Sequence, residues 1–458
     1  MPAFTLEEIV QATGAEILAQ GRSQFTDIVT DTRKIEAGVL FVALKGERFN
    51  GEDFAADALQ KGAAGVLVST GCSEENLKKA QGAGGTLLQA EDTLAAYQKI
   101  GRAWRLNFDL PVVAITGSNG KTTTKDLTAA ALSARGPVAK TQGNFNNEIG
   151  LPLTLLSIRP EHQAAVVEIG MRGLHQIEAL APLAAPTVGI VTNVGETHME
   201  LLGSLENIAQ AKAELVEALP AGGTAILNGD NKYVAAMKGK APAGVHVMTF
   251  GIEKAADVRG EDIRTEGTST LFVAVYAGER HEYRVPMVGR HNVYNALAAI
   301  AAGFALGFSA EEIRQGLLSL EATKMRFECS ELKGWQIVND AYNASPASMK
   351  AAIETLSEMA KGRKIAVMGD MLELGAVAEE AHREVGRELA EHGFTAVLTR
   401  GDLGSLIAAG AESKGLTAYR CASHKEAAEK LHSILQPGDT VLFKGSRGMQ
   451  MEKIIDLL

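Results

Sequence analysis

The stretch "PVVAITGSNGKTTTKDL", residues 111–127, decides the reading of this chain. Its opening residues are apolar and β-prone, its middle carries Gly117 and Gly120, and a helical composition resumes after Lys121. Strand, glycine turn and helix, in that order, build a phosphate-binding loop. The glycines let backbone N–H groups approach phosphate oxygens, and the helix end adds partial positive charge. Lys121 reaches the outer phosphates, and the Thr122 hydroxyl can hold magnesium. The full pattern has a glycine where this chain has Ile115, so the loop is a shortened variant. Gly117, Ser118, Asn119, Gly120, Lys121, Thr122 and Thr123 are thus the candidate contacts to a nucleoside triphosphate.

Composition narrows what surrounds the loop. A chain of 458 residues, 46% hydrophobic, is long enough for several domains with their own cores. A net charge of -10 gives no general attraction to nucleic acid or anionic membranes. Cys72, Cys329 and Cys421 are far apart and lack metal-ligand spacing, so buried free thiols are expected. The amino terminus, "MPAFTLEEIV", lacks the basic and apolar regions of a secretion signal, and the expected location is the cytoplasm. The least polar run, "NALAAIAAGFALGF" from Asn295, is too short to span a bilayer and reads as a buried helix.

Apolar β-rich segments alternate with helical patterns, which predicts α/β architecture with parallel sheets. Three domains are expected, at residues 1–108, 109–325 and 326–458. The last repeats strand and helix through "WQIVNDAY", "SPASMKAAIETLSEM", "KIAVMGDM" and "DTVLFKGSRG", the pattern of a doubly wound, Rossmann-like sheet. Ser345 is placed to cap its first helix, with Pro346 at the first helical position. No glycine fingerprint follows its first strand, so no dinucleotide is assigned.

Glu168 ends the strand-like "AAVVE", and His198 follows "GIVTNV" by a few residues. Carboxyl ends of parallel strands are where ligands gather in open α/β sheets, so both can face the phosphates with Thr122. Such a set points to one or two magnesium ions, although histidine alone favours a softer metal. In the helix "LENIAQAKAELVEAL", capped by Ser204, Lys212 falls in phase with Leu205, Ile208, Leu215 and Leu219 and points inward. It is either a snorkelling or acid-paired lysine, or one whose lowered pKa leaves a reactive neutral amine.

Eight segments, in order along the chain, resemble the ATP-dependent Mur ligases. They are "TGSNGKTTT", "GNFNNEIGLPLTLL", "VVEIGMRG", "TNVGETHMELLGS", "AKAEL", "GRHNVYNALAA", "MRFE" and "NDAYNASPASM". The phosphate loop is shared with folylpolyglutamate synthetase. "GNFNNEIG" and "DAYNASP" are similar to the branch that joins D-alanyl-D-alanine to UDP-N-acetylmuramoyl-tripeptide. The resemblance implies a UDP-sugar domain, a central ATPase and a closing carboxy-terminal domain. It implies that Thr122 and Glu168 hold one magnesium, and that His198 and a carbamylated Lys212 hold a second. Lys121, His198 and Lys212 would serve the catalysis. Asn292, Arg326 and Asp340 would contact ATP. Thr30, Asp31, Arg33, Lys45 and Gly46 would meet the UDP-sugar, Asn144 and Asn147 the tripeptide, and Asn343 and Ala344 the dipeptide. A monomer is expected. A P-loop kinase or a nucleotide-binding regulator remains the reading from a different class.

Overall fold

The computed structural model describes residues 4–46, 49–320 and 325–458. The expected junction near residue 325 abuts residues 321–324, which lie outside the described residues. Three large sheets organise the chain.

The amino-terminal sheet runs in the spatial order 16–19, 86–90, 65–69, 40–42 and 28–29, parallel except for the first strand. The neighbouring strands Ile28–Val29 and Leu40–Val42 end together, which puts the loops at Thr30 and Lys45 on the same edge of the domain. Helix Thr93–Leu106, capped by Asp92, leads out of this domain.

The central sheet has nine strands, ordered 279–285, 269–276, 258–266, 246–251, 224–228, 188–191, 112–116, 164–168 and 138–140. From 138–140 to 258–266 the pairings are parallel. The three strands between 258 and 285 add an antiparallel meander at one edge of the expected parallel sheet. Short turns at 267–268 and 277–278 join these strands, and such turns permit only antiparallel pairing. Strand Val112–Thr116 is buried throughout, as a strand covered on both faces must be. Helix Lys121–Leu132 packs on one face beside Arg290–Ala305, the buried alanine-rich helix. Helix Leu205–Glu217 packs on the other, with Ile208, Ala211 and Leu215 fully buried. Burying Ile208 and Leu215 contributes about 1.5–3 kcal/mol each.

The carboxy-terminal sheet is ordered 328–332, 335–340, 440–444, 364–369, 396–400 and 417–421, with only the first strand antiparallel. Alternate residues serve opposite cores. Val338, Ala366 and Leu442 pack under helices 346–359 and 378–391, while Ile337, Val367 and Val441 pack against helix 424–434. That is the doubly wound arrangement. Ser345 caps helix Pro346–Met359 as expected.

Among the described residues no helix is long and apolar enough to cross a membrane. All three cysteines are free, but Cys329, on the edge strand, is only partly buried.

Candidate active site

The phosphate loop leaves the central strand 112–116 between two parallel neighbours, 164–168 and 188–191. Chain order reverses there, so a crevice opens at their carboxyl ends. Gly120 begins the helix at φ +81, and a Cβ on it would lie 2.4 Å from Asn295 Oδ1. Only glycine meets both conditions.

Side chains from three segments meet over this loop. Thr122 Oγ1 donates to Glu168 Oε2 at 2.8 Å and accepts from Arg326 Nη2 at 3.0 Å. Asn146 Nδ2 donates to the other Glu168 oxygen at 2.7 Å. Arg326 stacks over the Tyr342 ring at 3.9 Å, and among the described residues its buried Nε has no hydrogen-bond partner. Lys121 curls back, donating to the Gly117 carbonyl at 2.7 Å. Burial pushes its ammonium down, with Glu168 opposing and Arg326 reinforcing the shift.

Lys212 is 2% exposed and makes no hydrogen bond or ion pair among the described residues. Burial, and then the nearby Lys121 charge, hold its amine well below the usual lysine range. The inward orientation read from the helix is therefore present, and of the two readings the acid pair is absent. His198 adopts φ +57 and its Nδ1 lies 2.7 Å from Glu373 Oε2. Burial lowers the pKa of this ring, and Glu373 partly offsets the effect.

These groups line one cleft of about 1220 Å³. A single small ligand takes about 300–1,000 Å³, so the cleft has room for more than one substrate. Of the residues expected at the site, the loop from Ser118 to Thr123, Asn144, Asn147, Glu168, His198, Lys212, Asn292, Arg326, Asp340, Asn343 and Ala344 border it. Asn292 is held by Val288 O and Asn295, and Asn147 accepts from Gly150 N at 2.9 Å. Asp340 Oδ2 accepts from Lys444 Nζ at 2.5 Å.

Thr30, Asp31, Arg33, Lys45 and Gly46 do not border it. Asp31 caps the turn Thr32–Lys34, and its paired Arg33 holds its carboxyl down at about 2. Sequence reading missed Asn146, Tyr342 and Glu373, which touch Glu168, Arg326 and His198. Asn146 stood inside the quoted "GNFNNEIG"; Glu373 follows the end of strand 364–369, a position that flags a ligand-side loop.

The donor set fits magnesium at one place. Thr122 and Glu168 offer hard oxygen ligands side by side, and magnesium takes few protein ligands beside phosphates and water. Among the described residues no cluster of three His, Cys, Asp or Glu is placed to hold a metal. At the second place an imidazole and an unmodified amine do not suit magnesium, whereas a carbamate on Lys212 would supply oxygen.

Three family models match along the chain. Residues 24–104 match the Mur ligase family catalytic domain, residues 115–303 the Mur ligase middle domain, and residues 325–447 the Mur ligase glutamate ligase domain. The chain belongs to the Mur ligase family. Within that family it is 40% identical to the UDP-N-acetylmuramoyl-tripeptide–D-alanyl-D-alanine ligase of Bacillus subtilis, across 93% of this chain and 92% of that protein. Its fold superposes on MurF from Acinetobacter baumannii with a TM-score of 0.92 and 32% identity, covering 100% and 99% of the two chains. A second Mur ligase structure, MurF from Thermotoga maritima in complex with ADP, matches at TM-score 0.81 and 28% identity over 94% and 96%.

Proposed function

We propose that this Mur ligase joins D-alanyl-D-alanine to the terminal carboxylate of a UDP-N-acetylmuramoyl-tripeptide, releasing ADP and phosphate. The single observation that carries the reading is Arg326 reaching from the third domain to Thr122 Oγ1, beside Glu168, on the phosphate loop. With it goes the likeness to the B. subtilis ligase of that name.

A carboxylate does not condense with an amine in water, because it is resonance-stabilised and hydroxide leaves poorly. Transfer of the γ-phosphoryl group to the tripeptide carboxylate solves this by forming an acyl phosphate. The neutral amine of D-alanyl-D-alanine then attacks the acyl carbon, phosphate leaves, and the amine loses its proton. Lys121 and Arg326 supply fixed positive charge where the phosphoryl group moves. Glu168 and Thr122 would hold magnesium, which when bound neutralises the β- and γ-phosphates. Asn292 and Asp340 would contact the nucleotide, Asn144 and Asn147 the tripeptide end, and Asn343 and Ala344 the dipeptide. Thr30, Asp31, Arg33, Lys45 and Gly46, at a separate edge, would take the UDP-sugar. Residues 1–108, 109–325 and 326–458 would then divide sugar binding, ATP binding and closure, in a cytoplasmic monomer.

Lys212 completes the set through carbamylation: its neutral amine adds carbon dioxide and loses a proton, leaving a carboxylate-like ligand beside His198. The free, depressed amine supports this. Lys212→Ala is expected to lose most turnover while retaining ADP binding, with partial recovery in formate or acetate. Wild-type turnover in the alanine variant would remove the role.

The reading as a whole is tested by ADP release with UDP-N-acetylmuramoyl-tripeptides, comparing D-alanyl-D-alanine with D-alanine, L-alanine and glutamate. Release that needs both substrates and yields a new amide mass is the expected result. A stable phosphorylated product would make the protein a kinase, and use of folate with glutamate would move it to the folylpolyglutamate branch.

A further inference from the structure

The edge strand Val138–Lys140 of the central sheet stops where its hydrogen bonds change partners. Thr141 N still donates to the Val166 carbonyl at 3.1 Å, as the parallel ladder requires. The next rung of that ladder would run from Glu168 N to the Thr141 carbonyl. Instead Glu168 N donates to the Thr141 hydroxyl at 3.0 Å, and the carbonyl accepts from Lys125 Nζ at 2.7 Å. Lys125 comes from the phosphate-loop helix, three residues after Thr122 and so on the same face. Thr122, Glu168, Thr141 and Lys125 thus close a circuit through one turn of that helix. Beyond the circuit the chain leaves the sheet and crosses Glu168. Asn146 Nδ2 donates to Glu168 Oε1 at 2.7 Å, and Gly170 N donates to the Asn146 carbonyl at 2.9 Å.

Lys125 is 2% exposed, and the Asp126 carboxylate at 3.5 Å is shared with Lys140 at 3.0 Å. Burying an ammonium costs free energy that an apolar chain of the same length would not. What the ammonium adds is direction, because a methionine could fill the space but could not take the carbonyl. We infer that Lys125 is a positioning residue: by capturing the Thr141 carbonyl it turns the edge strand off the sheet and lays loop 142–147 across Glu168, at a fixed distance from the phosphate loop. That Asn144 and Asn147 of this loop hold the acceptor rests on the proposed ligase reaction, whereas the turn itself does not. Group transfer needs reacting atoms about 3–3.5 Å apart, and a misplacement of about 1 Å costs about 10²-fold. A loop released into the ladder would therefore slow transfer more than it weakens nucleotide binding.

The test is hydrogen exchange of the full chain with ADP and no acceptor, so its outcome is separate from that of the amide-formation assay. Lys125→Met keeps the length of the side chain and removes the donor. Amides of residues 142–149 should then exchange about tenfold faster or more, while strands 188–191 and 224–228 of the same sheet keep their rates. Thr141→Val, which removes the hydroxyl from the same turn, should loosen the same amides and add nothing in the Lys125→Met background. In the ligation assay Lys125→Met should lower kcat by about 10²-fold and leave the KM for ATP unchanged. Unchanged loop exchange in Lys125→Met overturns the inference whatever the acceptor proves to be. Should that variant fail to fold, a loop as protected in Thr141→Val as in wild type overturns it instead. Additive effects of the two substitutions, or faster exchange spread evenly over the central sheet, also overturn it, since Lys125 would then be a general support. A loosened loop with wild-type kcat would detach the turn from the reaction and overturn it too.

Discussion

At the scale of single residues the site is defined by charges held where water cannot serve them. Lys121 is bound to its own loop carbonyl at 2.7 Å, and in the proposed reaction its charge would count most while the phosphoryl group moves. Lys121→Ala should lower kcat by about 10²–10³-fold with an unchanged melting curve; near-normal turnover in the folded variant would remove the phosphate-loop assignment. His291, beside Asp340 and Lys444, gives a stability test. Burial lowers its pKa from 6.5 to about 4, opposed by Asp340 and assisted by Lys444. Because the folded value lies below the unfolded one, the unfolded chain takes up the proton first. This histidine therefore costs nothing above about pH 6.5, destabilises progressively as the pH falls towards 4, and reaches its full cost, at most about 3 kcal/mol, below that. Unfolding free energies of wild type and His291→Asn measured across that window should diverge as the pH falls through it; parallel curves would refute the shift.

At the scale of elements, the phosphate-loop turn is the most constrained. Gly120→Ala forces a left-handed residue and pushes against Asn295, which itself holds Thr124 and Asn292. A loss of about 1–3 kcal/mol in denaturant unfolding, together with weaker ADP binding, is expected. A variant as stable as wild type would mean that the loop relaxes freely. This turn was legible in sequence because its chemistry is local: strand, glycines, lysine and helix lie within a dozen residues. The Ser345 cap and the inward Lys212 were legible for the same reason, one by cap position and the other by helical phase. The meander at 258–285 was not, since its alternation differs little from that of other strands and its direction is set by pairing partners. Nor were Asn146, Tyr342 and Glu373, ordinary residues until chain segments far apart place them against Glu168, Arg326 and His198. Expecting Thr30, Asp31, Arg33, Lys45 and Gly46 to meet the UDP-sugar depended on family likeness; the structure adds that the loops at Thr30 and Lys45 leave adjacent parallel strands.

At the scale of the whole molecule, the third domain completes a site that the second begins. Arg326→Lys removes the stacked guanidinium over Tyr342 and its contact with Thr122. It should lower kcat more than it raises the KM for ATP, and small-angle scattering with ADP should show a more extended particle than wild type; an unchanged profile and rate would detach Arg326 from closure. The join between these domains is also uneven. Val288 packs into the core of the third domain with Phe327. Polar ties also cross the join: Asn119 to Ser345, Thr122 to Arg326, and His198 to Glu373. Apolar contacts favour staying dry, whereas each hydrogen bond is worth only about 0.5–1.5 kcal/mol net because water replaces it. The join is thus an oiled pivot beside a wettable clasp, and the swing that the proposed reaction needs would break only contacts that water can replace, leaving the core dry.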